Sequence, residues 1–434
     1  MNCKFRWIYG KLGPLWWNSL KMFFASRIGD VFALCIGAFI VPALLKSDDL
    51  GAVLPVMKLA AVLVIPLNII LMGALKYINL YASDDQWGKI KRLTLGLFRF
   101  SAIYSVLLIV FVVSFQTRIL VYLKIENITL MWLIAATAVL SFWIPTTYTL
   151  ACSLKRFNTV IANKIVGPFV RLIATIALLG PLQIAGYLWA HILASTAIVG
   201  VYLVSVKKAF SRDVKAEEYK EDLPKIRTYV IRVAPYFILM TLYEFYVLSK
   251  IRHVYSNQIS AEFYLAFTLG NIVLWVAPAM IPFLYPLVSE RFEQGKETGK
   301  MHIQSLVVTS VIGFGITAFF LLFGETIVSL VPPWRPYQAS AGLIWIWGAI
   351  TCSKVVLQTH VTHEQAVNRF CHYVYYIPIT LAELAAIAWI TRTGADLSLS
   401  HLLRMILVFR TAVMILVFLE AYAYYAKRKG ASRN

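Results

Sequence analysis

The residues able to do chemistry here are ionisable side chains set inside stretches otherwise apolar enough to cross a bilayer. Arg27 and Asp30 lie in the first such stretch, Lys58 in the second, Lys164 and Arg171 in the fifth, and Arg232 and Glu244 in the seventh. Lys354, Glu383, Arg404, Arg410 and Glu420 follow in the later ones. A charge at the centre of a membrane helix costs a few kcal/mol on insertion scales, so by default it faces a cavity, a partner or a substrate. At about 1.5 Å of rise per residue, Arg27, Lys164, Arg232 and Arg404 lie close enough to an interface to snorkel, whereas Arg171, Lys354 and Arg410 fall near mid-membrane. Arg27, Lys58, Arg171 and Arg232 form the candidate substrate-binding set, a cationic lumen suited to an anionic group. The alternative is pairing with acids: Arg27 with Asp30, three residues apart on one helix face, and Arg232 with Glu244 after packing. Asp30 and Glu244 are also the candidates for carrying a coupling proton or cation.

A second cluster is the H-x-x-H-E run of His360, His363 and Glu364, with Cys371 and His372 close behind. His360 and His363 share a helical face, so a metal is conceivable. The order is not HExxH, however, and the run sits at the inner end of the tenth apolar stretch, where it reads as an interfacial loop. No metal and no cofactor are expected. P-loop, GxGxxG and GxSxG motifs are missing from the sequence, so it reads as a non-enzyme. The five cysteines are scattered and lack CxxC spacing, which suggests neither a disulfide framework nor a zinc site.

Elements that could position these groups follow from hydropathy. The chain is 60% hydrophobic and 14% charged, with a mean hydropathy of +0.72. Such an apolar excess must be buried in lipid. Stretches of the roughly 20 residues that a span needs lie near 22–45, 51–75, 95–117, 128–152, 159–180, 183–206, 228–250, 261–288, 303–330, 340–362, 373–391 and 400–426. The fold class is therefore an all-α integral membrane protein of about twelve transmembrane helices. The first stretch is too long for a signal-peptide core and reads as an uncleaved helix. The net charge of +20 invites a nucleic-acid reading, but the cations fall in short loops between spans, so no nucleic-acid partner is expected. Lys89, Lys91, Arg92, Arg156, Arg291, Lys296 and Lys300 fall in loops of one side, with the basic tails. The other side holds few cations, among them Lys46, Arg118 and Lys124. By the positive-inside rule both termini are expected in the cytoplasm.

The hydrophilic run at 207–227 divides the chain into an N-terminal lobe, 1–206, a charged cytosolic linker, 207–227, and a C-terminal lobe, 228–434. The halves echo each other. KYINLYASDDQWGKIKRL (76–93) and YPLVSERFEQGKETGKMHI (285–303) each lead from an aromatic-flanked helix end through acids and a glycine to a basic helix start. Duplicated units of this kind are common in transporters. The aromatics Trp87, Trp132, Trp143, Trp334, Trp345 and Trp347 suit interfacial belts.

The run LLKSDDLGAVLPVMKLAAVLVIP (44–66) with LKYINLYASDDQWGKIKRL, and IPFLYPLVSERFEQGKETGK (281–300) with PPWRPYQASAGLIWIWG (332–348), resemble the polysaccharide flippases of the MOP superfamily. The relatives in view are lipid flippases of the Wzx type, for O-antigen or exopolysaccharide. The resemblance implies two six-helix lobes around a central cavity, as in MATE-like folds. It further implies alternating access that moves an undecaprenyl-pyrophosphate-linked oligosaccharide from the inner to the outer leaflet of a bacterial cytoplasmic membrane. Implied partners are the lipid-linked oligosaccharide, membrane lipids, and a polysaccharide polymerase with its assembly proteins. Two alternatives stay open: a cation-coupled multidrug exporter of the same superfamily, and a membrane-embedded polysaccharide polymerase or ligase.

Overall fold

A computed structural model describes residues 21–84, 86–125, 127–153, 156–210, 222–276, 284, 288, 291–292, 294–393 and 398–431. The N-terminal tail, most of the 207–227 linker and the prolines at 278, 282 and 286 lie outside these. The described residues are helical, with no strand among them. We label the helices α1 (Lys21–Leu44), α2 (Ser47–Leu63), α3 (Ile65–Ser83), α4 (Trp87–Leu123), α5 (Thr129–Ser153) and α6 (Phe157–Phe210). They continue as α7 (Leu223–Val254), α8 (Asn257–Gly270), α9 (Ile272–Val276), α10 (Gly299–Leu330), α11 (Ala341–Ala366), α12 (Tyr373–Arg392) and α13 (Leu399–Ala431). The chain separates into two compact units, residues 1–249 and 250–434.

Among the described residues, nine helices are long and apolar enough to cross a membrane, or ten when the bent pair α2–α3 counts as one span. The 50° bend between those two has a local cause. Pro66 has no N–H to give to the Val62 carbonyl, and the Val64 N–H takes that carbonyl instead. The expected fifth and sixth spans are the two arms of α6, which contains 54 residues and breaks at Gln183 (φ 51°, ψ −134°). Gln183 Nε2 donates to the Gly180 carbonyl at 2.9 Å, which steadies an otherwise costly backbone conformation. The arms then run antiparallel: Thr159 Oγ1 meets Ser205 Oγ at 2.7 Å, and Asn163 Nδ2 donates to the Ile198 carbonyl at 3.2 Å. Gly186 is required at the top of this hairpin, because a Cβ there would stand 2.1 Å from the Leu178 carbonyl oxygen. The expected eighth span begins as α8 and α9 and continues outside the described residues.

Helix ends carry recognisable stops. Asp48 and Asp49 in the first turn of α2 complement the dipole of that end. Lys124 closes α4 in the left-handed conformation (φ 53°), its N–H bonded to the Leu120 and Val121 carbonyls. Ser256 caps α8, its hydroxyl accepting from the Ile259 N–H at 3.3 Å.

In the first unit α5 lies along α6, and α4 against α5. Lys58 on α2 forms an ion pair with Glu244 on α7, and Tyr81 on α3 donates to Asp222 ahead of α7 at 2.8 Å, so both ends of α7 are tied to this unit. In the second unit α11 is the central helix. Of its most apolar window 83% is buried, against 22–50% for the other spans, and it packs on α8, α10 and α13. Two tryptophans read as belt residues are instead buried here: Trp334, and Trp347, whose Nε1 donates to Asn271 Oδ1 at 3.2 Å. A belt position exposes the ring, whereas Trp347 projects from α11 onto Phe263 and Phe267 of α8.

Candidate functional site

α1, α2, α3, α5 and both arms of α6 surround a cavity of about 430 Å³ in the first unit. Close approach of α1 to α6 shapes its wall: Gly29 lies so near that a Cβ would meet the Lys164 carbonyl oxygen at 2.5 Å. Most of the lining is apolar. Polar groups enter from Asn68, Thr137, Ser141, Ser195, His191 and Arg171. Thr137 spends its hydroxyl proton on the Leu133 carbonyl of its own helix (2.8 Å), so toward the cavity it offers only acceptor lone pairs. Arg171 supplies the charge.

Arg171 stands on the first arm of α6, on one face with Gly167 and Pro168, which also line the cavity. Its guanidinium reaches the second arm, where Nη2 donates to the Tyr187 hydroxyl and Cζ lies 5.1 Å from the ring centroid. Tyr187 in turn meets His191 edge to face at 5.0 Å. Arg171 Nε and His191 Nε2 are both buried and lack a hydrogen-bond partner. Arg171 makes no ion pair with a carboxylate among the described residues, and no acidic residue is found among those lining the cavity.

The other intramembrane cations differ. Arg27 Nη1 lies 3.1 Å from Asp30 Oδ2 on the same face of α1, as the spacing allows. Lys58 pairs with Glu244, so the glutamate has a cation on α2 as partner. Arg410 and Glu383 form a buried pair at 2.8 Å between α13 and α12. Arg232 and Arg404 lie exposed on their helices. Of the four proposed substrate cations, then, Arg171 lines the cavity, while Arg27, Lys58 and Arg232 are not among its described lining residues, although Lys58 directly follows the lining residue Met57. Both coupling candidates, Asp30 and Glu244, sit in ion pairs.

Sequence reasoning missed Tyr187 and His191. Their signal was present in Gly180-Pro181, a turn that divides α6 and sets residues of the two arms level with each other. The H-x-x-H-E run is also placed differently from the interfacial loop expected of it. His360, His363 and Glu364 are fully buried in the last turns of α11, because the central helix of the unit keeps its neighbours to its very end.

No sequence family and no curated relative matches the chain. Solved structures do. An inward-facing multidrug resistance MATE family transporter of the MOP superfamily superposes with a TM-score of 0.74 at 11% identity, covering 95% of this chain and 99% of that one. The fold is that of the MATE transporters. An outward-facing multidrug resistance MATE transporter of the superfamily gives a TM-score of 0.62 at 14% identity, with 95% of each chain covered. A MOP superfamily transporter from Pyrococcus furiosus, described as having a reversed binding-pocket polarity that suggests a different function, gives 0.65 at 12% identity, again with 95% of each chain covered. The MATE fold has about twelve helices, which accounts for the twelve apolar stretches. At such identities the likeness establishes the fold. These likenesses are to MATE and other MOP superfamily transporters, and they do not establish a flippase of the Wzx type.

Proposed function

We propose that the chain is an alternating-access transporter whose first-unit cavity receives an anionic headgroup, and that its substrate is a lipid-diphosphate-linked oligosaccharide moved outward across a bacterial cytoplasmic membrane with both termini inside. The observation that carries this reading is Arg171: it lines a mostly apolar cavity with a buried, unpartnered Nε and no carboxylate to neutralise it, while Arg27, Lys58 and Arg410 each have one. A cation held in a low-dielectric wall attracts anions strongly and repels cations. Phosphate oxygens match the fork of a guanidinium, and Tyr187 fixes the plane of that fork. Solved transporters of the same fold in inward- and outward-facing states support alternating access. Asp30 and Glu244 are the carboxylates in this unit that could exchange their present cation for a coupling proton or ion.

A second reading is a multidrug exporter, favoured by the names of those solved relatives. It requires a cavity that accepts lipophilic cations, which Arg171 opposes. Deletion of the gene in its host followed by lipid extraction separates the two. Accumulated lipid-linked oligosaccharide, relieved by the wild-type chain but not by Arg171→Ala at equal abundance, supports the flippase. Unchanged lipids with lost dye efflux support the exporter.

A further inference from the structure

At the far end of α11 from the 3-10 segment Pro332–Ser340, the second unit gathers four histidines and two glutamates. His302 comes from the first turn of α10; His360, His363 and Glu364 from α11; His372 from the position ahead of α12; and Glu420 from α13. All four imidazoles and Glu364 are buried to 1% exposure or less. His360 is the hub. Its Nδ1 lies 3.1 Å from His302 Nε2, and its Nε2 lies 3.1 Å from Glu420 Oε2 and 3.3 Å from the Tyr375 hydroxyl. His302 and His363 stack at 3.8 Å with their planes 7° apart.

Charge balance at this cluster is incomplete. Glu364 and Glu420 share a single guanidinium, that of Arg369, and each lies 3.7 Å from it, beyond hydrogen-bond range. Glu364 Oε2 and Glu420 Oε1 are buried and accept no hydrogen bond. Glu364 is buried and Glu420 partly so, and besides Arg369 only a protonated His360, 3.1 Å from Glu420, could offset them, which leaves the pair room for another positive charge. We propose that a divalent transition-metal ion of the Zn²⁺ class supplies it, held by His360, Glu364 and His372. One potential ligand atom from each of the three lies within 4.8 Å of the other two. A tetrahedral shell with bonds of about 2.0–2.2 Å sets ligands roughly 3.3–3.6 Å apart, so side-chain rotation closes the gap. His360 and Glu364 are four apart on one helix face and converge by construction. The group formed by Glu364, Cys371 and Glu420 overlaps this one and offers a fourth ligand. Imidazole with carboxylate selects Zn²⁺, Co²⁺ or Ni²⁺ over Mg²⁺ and Ca²⁺, which prefer all-oxygen shells. Residues near each other only in the folded unit would be tied together by the ion, locking the end of α11 to the start of α12 and, through Glu420, to α13. The inference is independent of the cavity around Arg171.

The test uses full-length protein purified in detergent through a tag without histidines, stripped with chelator and dialysed against micromolar ZnCl₂. Elemental analysis should find one zinc per chain, and Glu364→Gln and His372→Ala should each bind Zn²⁺ at least tenfold more weakly. X-ray absorption at the zinc edge of the wild-type protein should show a shell of N and O ligands at about 2.0–2.1 Å that includes imidazole. That measurement needs no variant, so it decides the matter even where a variant fails to fold. Zinc below a tenth of an equivalent in the wild-type protein, a shell without imidazole, or undiminished binding in both folded variants overturns the proposal.

Discussion

Replacing Glu383 by glutamine should destabilise the second unit severely, and the structure says by how much. Glu383 is 0% exposed and Arg410 6%, with Nη2 2.8 Å from Oε2. Both are buried, so the substitution leaves the Arg410 charge between α12 and α13 without its carboxylate. Breaking a buried pair from one side costs about 3–5 kcal/mol, a scale that agrees with the roughly 2.5–3.5 kcal/mol insertion penalty of an arginine at the bilayer centre. For a unit of this size that corresponds to a fall in Tm of roughly 6–20 °C. Removing both charges, as Glu383→Leu with Arg410→Met, should restore wild-type stability or exceed it, because the desolvation cost of two ions disappears with their attraction. The assay is thermal unfolding of purified protein in detergent, with membrane abundance measured alongside. Wild-type melting of the Glu383→Gln protein, or a double variant worse than either single one, would refute the reasoning.

Other consequences can be checked in the same preparations. Gly186→Ala should open the α6 hairpin, since a Cβ there lies 2.1 Å from backbone; overpacking of this kind costs about 1–3 kcal/mol, read as a lowered melting temperature. Tyr187→Phe removes the acceptor of Arg171 and should cost about 1–2 kcal/mol, and the penalty should vanish in an Arg171→Ala background. Asp222, just ahead of the α7 span, accepts from Tyr81 at 2.8 Å and lies near Lys225 and Lys89, so its carboxyl is held below the usual range, chiefly by the tyrosine hydroxyl. Its stabilisation is therefore present above about pH 4 and is lost as the pH falls below that, so the melting difference between wild type and Asp222→Asn should shrink in acid and persist unchanged at neutral pH.

Hydropathy made the spans legible because lipid demands long apolar helices whatever their packing. Local rules also carried some of the site: Arg27 and Asp30 are a pair because three residues return a helix to the same face. Packing rules did not follow from sequence. Lys58 and Glu244 are 186 positions apart, so only the seating of α7 on the first unit chooses between Lys58 and Arg232 as the glutamate's partner. His302 gave no sign of joining His360, 58 residues later, because it stands alone in its own helix. Trp334 and Trp347 read as belt residues since hydropathy cannot separate a ring at an interface from one packed on a central helix.

The central claim is that the cavity beside Arg171 binds a phosphate headgroup, and equilibrium binding of undecaprenyl pyrophosphate to purified protein tests it most directly. The account predicts saturable binding by wild type. Arg171→Ala should weaken it roughly ten- to a hundredfold, the worth of about 1.5–3 kcal/mol for hydrogen bonds to a charged group, and Arg171→Lys should fall between, keeping the charge but losing the fork. A lipophilic cation such as ethidium should bind no better to wild type than to Arg171→Ala. Undiminished lipid binding by a folded Arg171→Ala protein, or a wild-type preference for ethidium over the diphosphate, would contradict the account.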